Sequence, residues 1–211
     1  PGSGRGLVLG RFLPPHQGHL HLCRFAMARS ASAVVIVFSQ PDDVIPGEVR
    51  QAWLQELLPR ATVLRIHGAA VDPTLPDAVR TRQWADLIRK ELPGPIDHLF
   101  ASDLYDTEVS RALGAKLVLV DPTRTAVPIS ASLIRGDVFQ YWEQLPGPVK
   151  AHCVRRVRVV GPHGSGKSTL ASQLAANLRT SLVPEFTRVL AQQRQGPLSP
   201  ADLAEAARGQ M

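Results

Sequence analysis

Short apolar runs alternate with amphipathic stretches along this chain, and this alternation restricts the fold more than any other feature. The run AVVIVF (33–38) is apolar at every position, which is typical of a strand buried on both faces of a parallel sheet. The stretch 48–58 has its apolar residues at helical spacing and ends before Pro59. Buried strands separated by helices predict a doubly wound α/β domain with a parallel sheet.

The same pattern predicts the other elements of this first domain. Strands are expected at 6–10, 33–40, 62–68, 98–102 and 116–121, and helices at 19–30, 48–58, 79–92 and 108–114. Ligands of such sheets bind at the carboxyl ends of the strands, near the point where the strand order reverses.

Composition excludes several classes of protein. The apolar runs are too short to cross a bilayer, and the only two cysteines, Cys23 and Cys153, lack the spacing of a disulfide framework or a zinc site. The net charge of +6 suits phosphorylated ligands, whereas 5% aromatic residues give no stacking platform for single-stranded nucleic acid. We therefore expect a cytoplasmic protein with neither a membrane nor a nucleic-acid partner. Homo-oligomerisation is left open.

The segment GRFLPPHQGHL (10–20) lies where the first predicted strand ends and a helix begins. Gly10 allows close backbone approach, and Gly18 lies near a helix start, where free N–H groups attract anions. His16 and His19 could then donate hydrogen bonds to phosphate oxygens. The alternatives are a turn with two structural histidines, or a metal site, which lacks a third ligand at a recognised spacing. No metal is expected here.

A second domain is predicted after 145–149. The segment VRRVRVVG (154–161) reads as a strand, TLASQLAANL (169–178) as a helix, SLVPEF (181–186) as a strand and 187–194 as a helix. We expect Ser199 to cap a last helix that starts at Pro200. The domains are predicted at 5–150 and 154–211.

Between that strand and helix lies GPHGSGKST (161–169), which satisfies the phosphate-binding pattern GxxxxGK[ST] in the required context. Lys167 is expected to reach the outer phosphates and Ser168 a Mg²⁺ ion. A glycine-rich turn is the alternative. The predicted loop residues are Gly161, Gly164, Ser165, Gly166, Lys167, Ser168 and Thr169.

Two motifs of the first domain resemble the (T/H)xGH nucleotidylyltransferases. GRFLPPHQGH matches their GxFxPxHxGH form, and ISASLIR (129–135) matches their ISxTxIR form with Ser132 in place of threonine. A serine before an apolar run is also a common helix cap.

An adenylyltransferase followed by a P-loop resembles the NadR family, which joins nicotinamide mononucleotide adenylyltransferase to ribosylnicotinamide kinase. EVRQAWLQELLP, FASDLYD, DPTR and VPEFTR are also similar to that family's segments, although ASDLYD and GPHGSGKS depart from its usual forms.

The resemblance implies adenylyl transfer from ATP with Mg²⁺ to nicotinamide mononucleotide, giving NAD and pyrophosphate. It assigns catalysis to His16, His19 and Arg135, with the histidines on the α-phosphate of ATP and the arginine on the leaving pyrophosphate. Substrate-binding roles fall on Gly10, Arg11, Phe12, Gly18, Trp84, Asp121, Arg124, Ser130 and Ser132.

Several of these roles have structural alternatives. Trp84 could stack on the nicotinamide ring or be a half-buried helix residue, and Asp121 and Arg124 could be surface caps. Glu185 matches the family's glutamate near the ribose of nicotinamide riboside. A second acidic Mg²⁺ ligand and a lid are not found in 154–211, so we expect a fragment of a bifunctional protein without kinase activity of its own.

Two other functions remain open at this stage. The chain could be an adenylyl- or cytidylyltransferase for another phosphate, such as phosphopantetheine. It could also be a regulator that senses NAD or ATP without turnover. Formation of NAD separates these hypotheses.

Overall fold

Helices and strands alternate through most of the computed structural model, which describes residues 2–67, 74, 76–194 and 198–209. The strands are β1 (Arg5–Gly10), β2 (Ser32–Ser39), β3 (Thr62–His67), β4 (His98–Ala101) and β5 (Lys116–Leu119). The helices are α1 (Gln17–Arg29), α2 (Gly47–Leu57), α3 (Asp77–Glu91), α4 (Thr107–Leu113), α5 (Ala131–Gly136), α6 (Gly147–Cys153), α7 (Lys167–Asn177), α8 (Phe186–Arg194) and α9 (Pro200–Gly209). The chain divides into two compact units, Pro1–Val154 and Arg155–Met211.

The first unit contains one five-stranded sheet in the order β3-β2-β1-β4-β5, and every pairing is parallel. The chain moves outward from β1 through β2 to β3 and then returns to pair β4 with the other side of β1. The strand order therefore reverses between β1 and β4, which is where parallel sheets open a crevice for ligands. The predicted doubly wound fold is confirmed. Gly68, the last residue of the third predicted strand, lies outside the described residues.

Each central strand supplies side chains to two hydrophobic clusters, one on each face of the sheet. Val8 belongs to a cluster with α1 and α2, and its neighbour Leu7 belongs to the cluster that includes Ile88 of α3. Successive side chains of a strand point to opposite faces, so an apolar run without polar alternation becomes a strand buried on both sides. A third cluster includes Trp53 and Ile134, so Trp53, one of the apolar residues at helical spacing in 48–58, packs in the core.

The sequence of FQYWEQLP (139–146) predicts a helix behind ISASLIR, but this prediction is wrong, because only the 3₁₀ turn Trp142–Gln144 forms there. The Asp137 carboxylate accepts the backbone N–H groups of Phe139 and Gln140 at 3.0 and 2.9 Å. Such local side-chain bonds offer the backbone an alternative to helical hydrogen bonds. Trp142 stacks on Phe139 at a ring distance of 5.9 Å, a structural contact.

The second unit forms α7, α8 and α9, but the strands predicted at 154–161 and 181–186 are wrong, since neither segment is a strand in the described structure. A strand requires a neighbouring strand for its backbone hydrogen bonds. Val157 and Val160 are 77% and 85% exposed, so no layer of the described structure covers them. The predicted cap of α9 is confirmed by the N–H of Asp202, which donates to Ser199 Oγ at 3.3 Å.

Among the described residues, no helix has the length and apolar character needed to span a membrane.

Candidate active site

A cavity of about 280 Å³ opens at the carboxyl ends of the strands, beside the start of α1. Its other walls come from the segment that follows β4 and from the loop that joins β5 to α5. Seven of the residues predicted for the site line it, namely His16, Gly18, His19, Asp121, Arg124, Ser130 and Ser132.

His16 occupies the N-cap position of α1, where Ser, Thr, Asp or Asn is usual. Its Nδ1 accepts the backbone N–H of His19 at 3.4 Å. Because Nδ1 acts as the acceptor, the proton of the neutral ring lies on Nε2. The cap therefore fixes the tautomer, and His16 is an Nε2–H donor.

His19 is held between two other rings. Its ring stacks on His16 at a centroid distance of 3.7 Å and meets Phe12 edge-on at 4.9 Å. Its Nδ1 is buried and has no hydrogen-bond partner within the described part of the chain. An unsatisfied buried nitrogen costs free energy, so this ring suits a ligand that supplies the missing partner.

Two glycines provide the space for this stack of rings. A Cβ on Gly18 would lie 3.1 Å from the ring of His16 and 3.4 Å from Ile129, and one on Gly10 would lie 3.1 Å from the Phe12 ring. We predicted that Gly10 lets a ligand approach, but the ring of Phe12 occupies that space. Phe12 is 1% exposed and belongs to the core, so it supports the site from behind.

Both imidazoles are kept neutral by their surroundings. Burial, with the charge of Arg124 as the second cause, lowers the pKa of His16 to about 4. Burial, then His16 and Arg124, lowers the pKa of His19 well below its usual value. The cavity therefore presents neutral imidazoles beside one guanidinium at a helix start, a set of groups that suits a phosphate.

The loop after β5 is held in shape by Asp121. Its carboxylate accepts the backbone N–H groups of Thr125, Ala126 and Val127 at 2.8 to 3.2 Å. Desolvation opposes these bonds, but together they hold the pKa of Asp121 below its usual value. Asp121 thus organises the loop that carries Arg124 to the cavity, while its role toward ATP stays a prediction.

ISASLIR joins the cavity wall to the loop after β1. Ser130 Oγ accepts the N–H of Leu133 at 3.3 Å, which confirms that Ser130 caps α5. Arg135 donates through Nη1 to the carbonyl oxygen of Leu13 at 2.6 Å and through Nη2 to Ser132 Oγ at 3.2 Å. Arg135 does not line the cavity itself, and its contact with pyrophosphate stays a prediction.

Ser102 and Asp103 also line the cavity, although they were not among the predicted site residues. Their signal in the sequence was their position directly after β4, since polar residues at a strand's carboxyl end meet the ligand crevice. Asp106 lies one turn further on. Burial, followed by the charge of Asp103, raises the pKa of Asp106 to about 6.

Arg11 and Trp84 lie outside this cavity. Arg11 forms an ion pair with Asp43 and is half exposed. Trp84 packs on Phe38 near the carboxyl end of β2, at a ring distance of 4.2 Å. Trp84 is thus half-buried against the core, and stacking on a nicotinamide ring stays a prediction.

The glycine-rich loop of the second unit lies directly before α7, as predicted, but the strand predicted before the loop does not form. Gly164 and Gly166 have φ of +78° and +79°, and α7 begins directly after Gly166. Ser165 Oγ and Lys167 Nζ both donate to the carbonyl oxygen of Pro162, at 2.9 and 2.6 Å. Lys167 therefore lies across the loop that starts at Gly161.

The other predicted residues of this unit lie at helix starts. Ser168 and Thr169 are exposed in the first turn of α7. Glu185 precedes α8 and pairs with Arg188 at 3.1 Å, and its contact with a ribose stays a prediction.

These features define a doubly wound α/β protein with a cleft whose side chains suit a phosphate, followed by a glycine-rich loop and a helix. Residues 156–210 match the family model of an AAA domain. The chain is 31% identical over 201 residues to the trifunctional NAD biosynthesis/regulator protein NadR of Escherichia coli K12. The aligned region covers 87% of this chain and 48% of that protein. NadR of Salmonella typhimurium is 30% identical, with the same coverage. These similarities make the chain a relative of NadR, and it spans about half the length of these two proteins.

Two further comparisons extend this result. A nicotinamide-nucleotide adenylyltransferase of Aeropyrum pernix is 32% identical over 101 residues, which is 44% of this chain and 55% of that enzyme. The crystal structure of NadR protein in complex with NAD and AMP-PNP superposes with a TM-score of 0.68 at 20% identity, covering 99% of this chain and 64% of that one. This second likeness shows a shared fold.

The neutral His16 makes the fold sensitive to acid. An unfolded histidine titrates near pH 6.5, but His16 titrates at about 4, so the unfolded chain takes up its proton first as the pH falls. The contribution of the neutral histidine to the free energy of unfolding is fully present above about pH 6.5 and is lost as the pH falls toward 4. The loss is up to about 1.4 kcal/mol per pH unit for each such histidine. Urea unfolding at pH 7 and pH 5 should measure this loss.

The matched variants are His16→Gln, which should weaken the pH dependence, and His152→Gln, which alters a histidine packed on Trp53 instead. The explanation is wrong if His16→Gln unfolds with the same pH dependence as the parent chain.

Proposed function

We propose that the first unit transfers the adenylyl group of ATP to nicotinamide mononucleotide, giving NAD and pyrophosphate. The observation that carries this proposal is the pair of neutral, stacked imidazoles at the start of α1, beside Arg124 in one cavity. The names of the related proteins, NadR and nicotinamide-nucleotide adenylyltransferase, support the choice of substrates.

In this reaction a 5′-phosphate oxygen of nicotinamide mononucleotide attacks the α-phosphorus of ATP. The bond from that phosphorus to the bridging oxygen of the β-phosphate breaks, and pyrophosphate leaves with the electron pair. No protein nucleophile is needed, so this chain contributes positioning and charge stabilisation. Nε2–H of His16 and the His19 ring would donate to the α-phosphate oxygens as negative charge develops there. Arg124 would face the outgoing phosphates, and the same role is proposed for Arg135, which lies outside the cavity lining and bonds Leu13 and Ser132.

Magnesium, when bound to ATP, neutralises charge on the phosphates that leave. Among the described residues no group of three or more His, Cys, Asp or Glu side chains could hold a metal. The carboxylate of Asp121 is already engaged by backbone N–H groups of its own loop. Among the described residues, the cavity thus does not provide a resident magnesium site.

Loss of His19 should nearly abolish the reaction. His19→Ala should lower kcat by roughly 10²–10³, the scale for one donor to a developing oxyanion, while His152→Gln should retain activity. The measurement is NAD formed from nicotinamide mononucleotide, ATP and Mg²⁺. A folded parent chain that forms no NAD would overturn the substrate assignment. NAD binding without pyrophosphate release, unchanged in His19→Ala, would instead support a sensor.

The pH profile tests the protonation state of the histidines. Because the pKa of His16 is lowered to about 4, the donor is neutral throughout the range from pH 6 to 8. We expect kcat/KM not to fall as the pH rises through this range, whereas an obligatory imidazolium would lose activity above its pKa. A fall of about tenfold per pH unit above pH 6 would contradict a neutral donor.

We also propose that residues 161–169 bind the phosphates of a nucleotide. The left-handed glycines beside the start of α7 support this, since successive N–H groups of such a loop can surround phosphate oxygens. Lys167 would contact the outer phosphates, and Ser168 would hold Mg²⁺. Nicotinamide riboside is the proposed acceptor, as the resemblance to the NadR family implies.

The two sites should be separable by mutation. Lys167→Ala should remove nucleotide binding by the second unit without changing NAD formation by the first. Titration with a fluorescent ATP analogue, in parent and His19→Ala backgrounds, measures the first quantity. Equal binding by Lys167→Ala and the parent would show that the loop is only a turn.

A further inference from the structure

Arg50 in α2 is the one arginine that appears among the fully buried side chains of the described chain, with a side-chain exposure of 0%. An arginine carries five N–H donors and a charge, so its burial requires partners for all of them. None of the motifs that predicted the site includes it.

The guanidinium of Arg50 joins three backbone segments. Its Nε donates to the carbonyl oxygen of Ile45 at 2.9 Å, and its Nη1 donates to those of Phe38, at 3.1 Å, and Arg11. Its Nη2 forms an ion pair with the buried carboxylate of Asp43. One side chain thus ties the ends of β1 and β2 to the loop before α2.

Asp43 supplies the negative charge that pairs with the buried guanidinium of Arg50. Its carboxylate also accepts the backbone N–H of Gln40 at 3.0 Å and pairs with Arg11. Desolvation acts against these contacts, but they hold the pKa of Asp43 below its usual value. The carboxylate is therefore charged at neutral pH, as the buried guanidinium requires.

The contact with Arg11 leads directly to the histidines. The carbonyl group of Arg11 belongs to the peptide bond that joins Arg11 to Phe12. The hydrogen bond from Arg50 therefore fixes the orientation of this peptide group, on which φ of Phe12 depends. That φ is +48°, in the left-handed region that a phenylalanine rarely adopts. This conformation directs the Phe12 ring into the core and against the ring of His19.

We infer that Arg50 is a positioning residue for the proposed adenylyl transfer, because it fixes the turn at Phe12 that orients His19. This inference rests on the proposed function for its kinetic consequence but not for its structural one. Lysine at position 50 could keep the charge beside Asp43, but it lacks the fork that reaches three carbonyl oxygens.

The test is Arg50→Lys, with kinetics and the ¹⁵N spectra of the histidine rings as readouts. We expect kcat to fall about tenfold to a hundredfold with KM changed by less than about threefold, since misplacement of a donor weakens transition-state contacts. The imidazole signals of His19 should shift in the same variant without any substrate.

Arg89→Lys is the matched control, because Arg89 also bonds an aspartate, Asp86, and a backbone carbonyl, that of Ala112. It should change neither kcat nor the spectra. If Arg50→Lys fails to fold, Asp43→Asn carries the same test, with smaller changes in the same direction.

Two outcomes would overturn the inference. One is a folded Arg50→Lys with normal kcat and unchanged His19 signals. The other is an Arg50→Lys variant with a raised KM but with kcat and the His19 signals both unchanged. That result would make Arg50 a substrate ligand. If the parent chain forms no NAD, the proposed function fails, whereas a shift of the His19 signals would still support the positioning role.

Discussion

The architecture of the first unit depends on the central position of β1 (Arg5–Gly10), whose backbone bonds to β2 on one side and to β4 on the other. The carboxyl ends of parallel strands lie at the same edge of the sheet, so the strand directions alone bring the loops after β1, β4 and β5 together there. The loop after β1 supplies the histidines, and the loops after β4 and β5 supply Asp103 and Arg124. The site is therefore a consequence of strand order.

Packing and local hydrogen bonds determine the conformation of the loop after β1. A histidine replaces the usual short polar cap of α1, and the hydrogen bond that caps the helix also fixes the tautomer of His16. The left-handed Phe12 costs roughly 1–2 kcal/mol, which the burial of its ring offsets at about 1.5–3 kcal/mol. Local strain and an unsatisfied His19 nitrogen are thus concentrated where a phosphate ligand would gain from them.

Sequence reasoning located the strands of the first unit to within a few residues, because runs such as AVVIVF are buried on both faces and carry a strong signal. It failed for VRRVRVVG, since an apolar run indicates a strand only when a neighbouring strand completes the hydrogen bonds. It also missed Arg50, because a lone arginine within a helix is typically exposed and its burial depends on carbonyl groups far apart in the sequence. Motifs thus located the groups that face the cavity, but not the residues that support them.

The two units differ in the electrostatic surroundings that they would offer to a phosphate ligand. Residues 155–211 contain eight Lys or Arg and three Asp or Glu, so five of the six net positive charges lie in the second unit. A net positive field raises the local concentration of anions such as nucleotides. The first unit is almost neutral, and its cavity presents uncharged imidazoles beside the guanidinium of Arg124. In the proposed reaction, neutral donors would contribute most in the transition state, where negative charge on the phosphate oxygens increases.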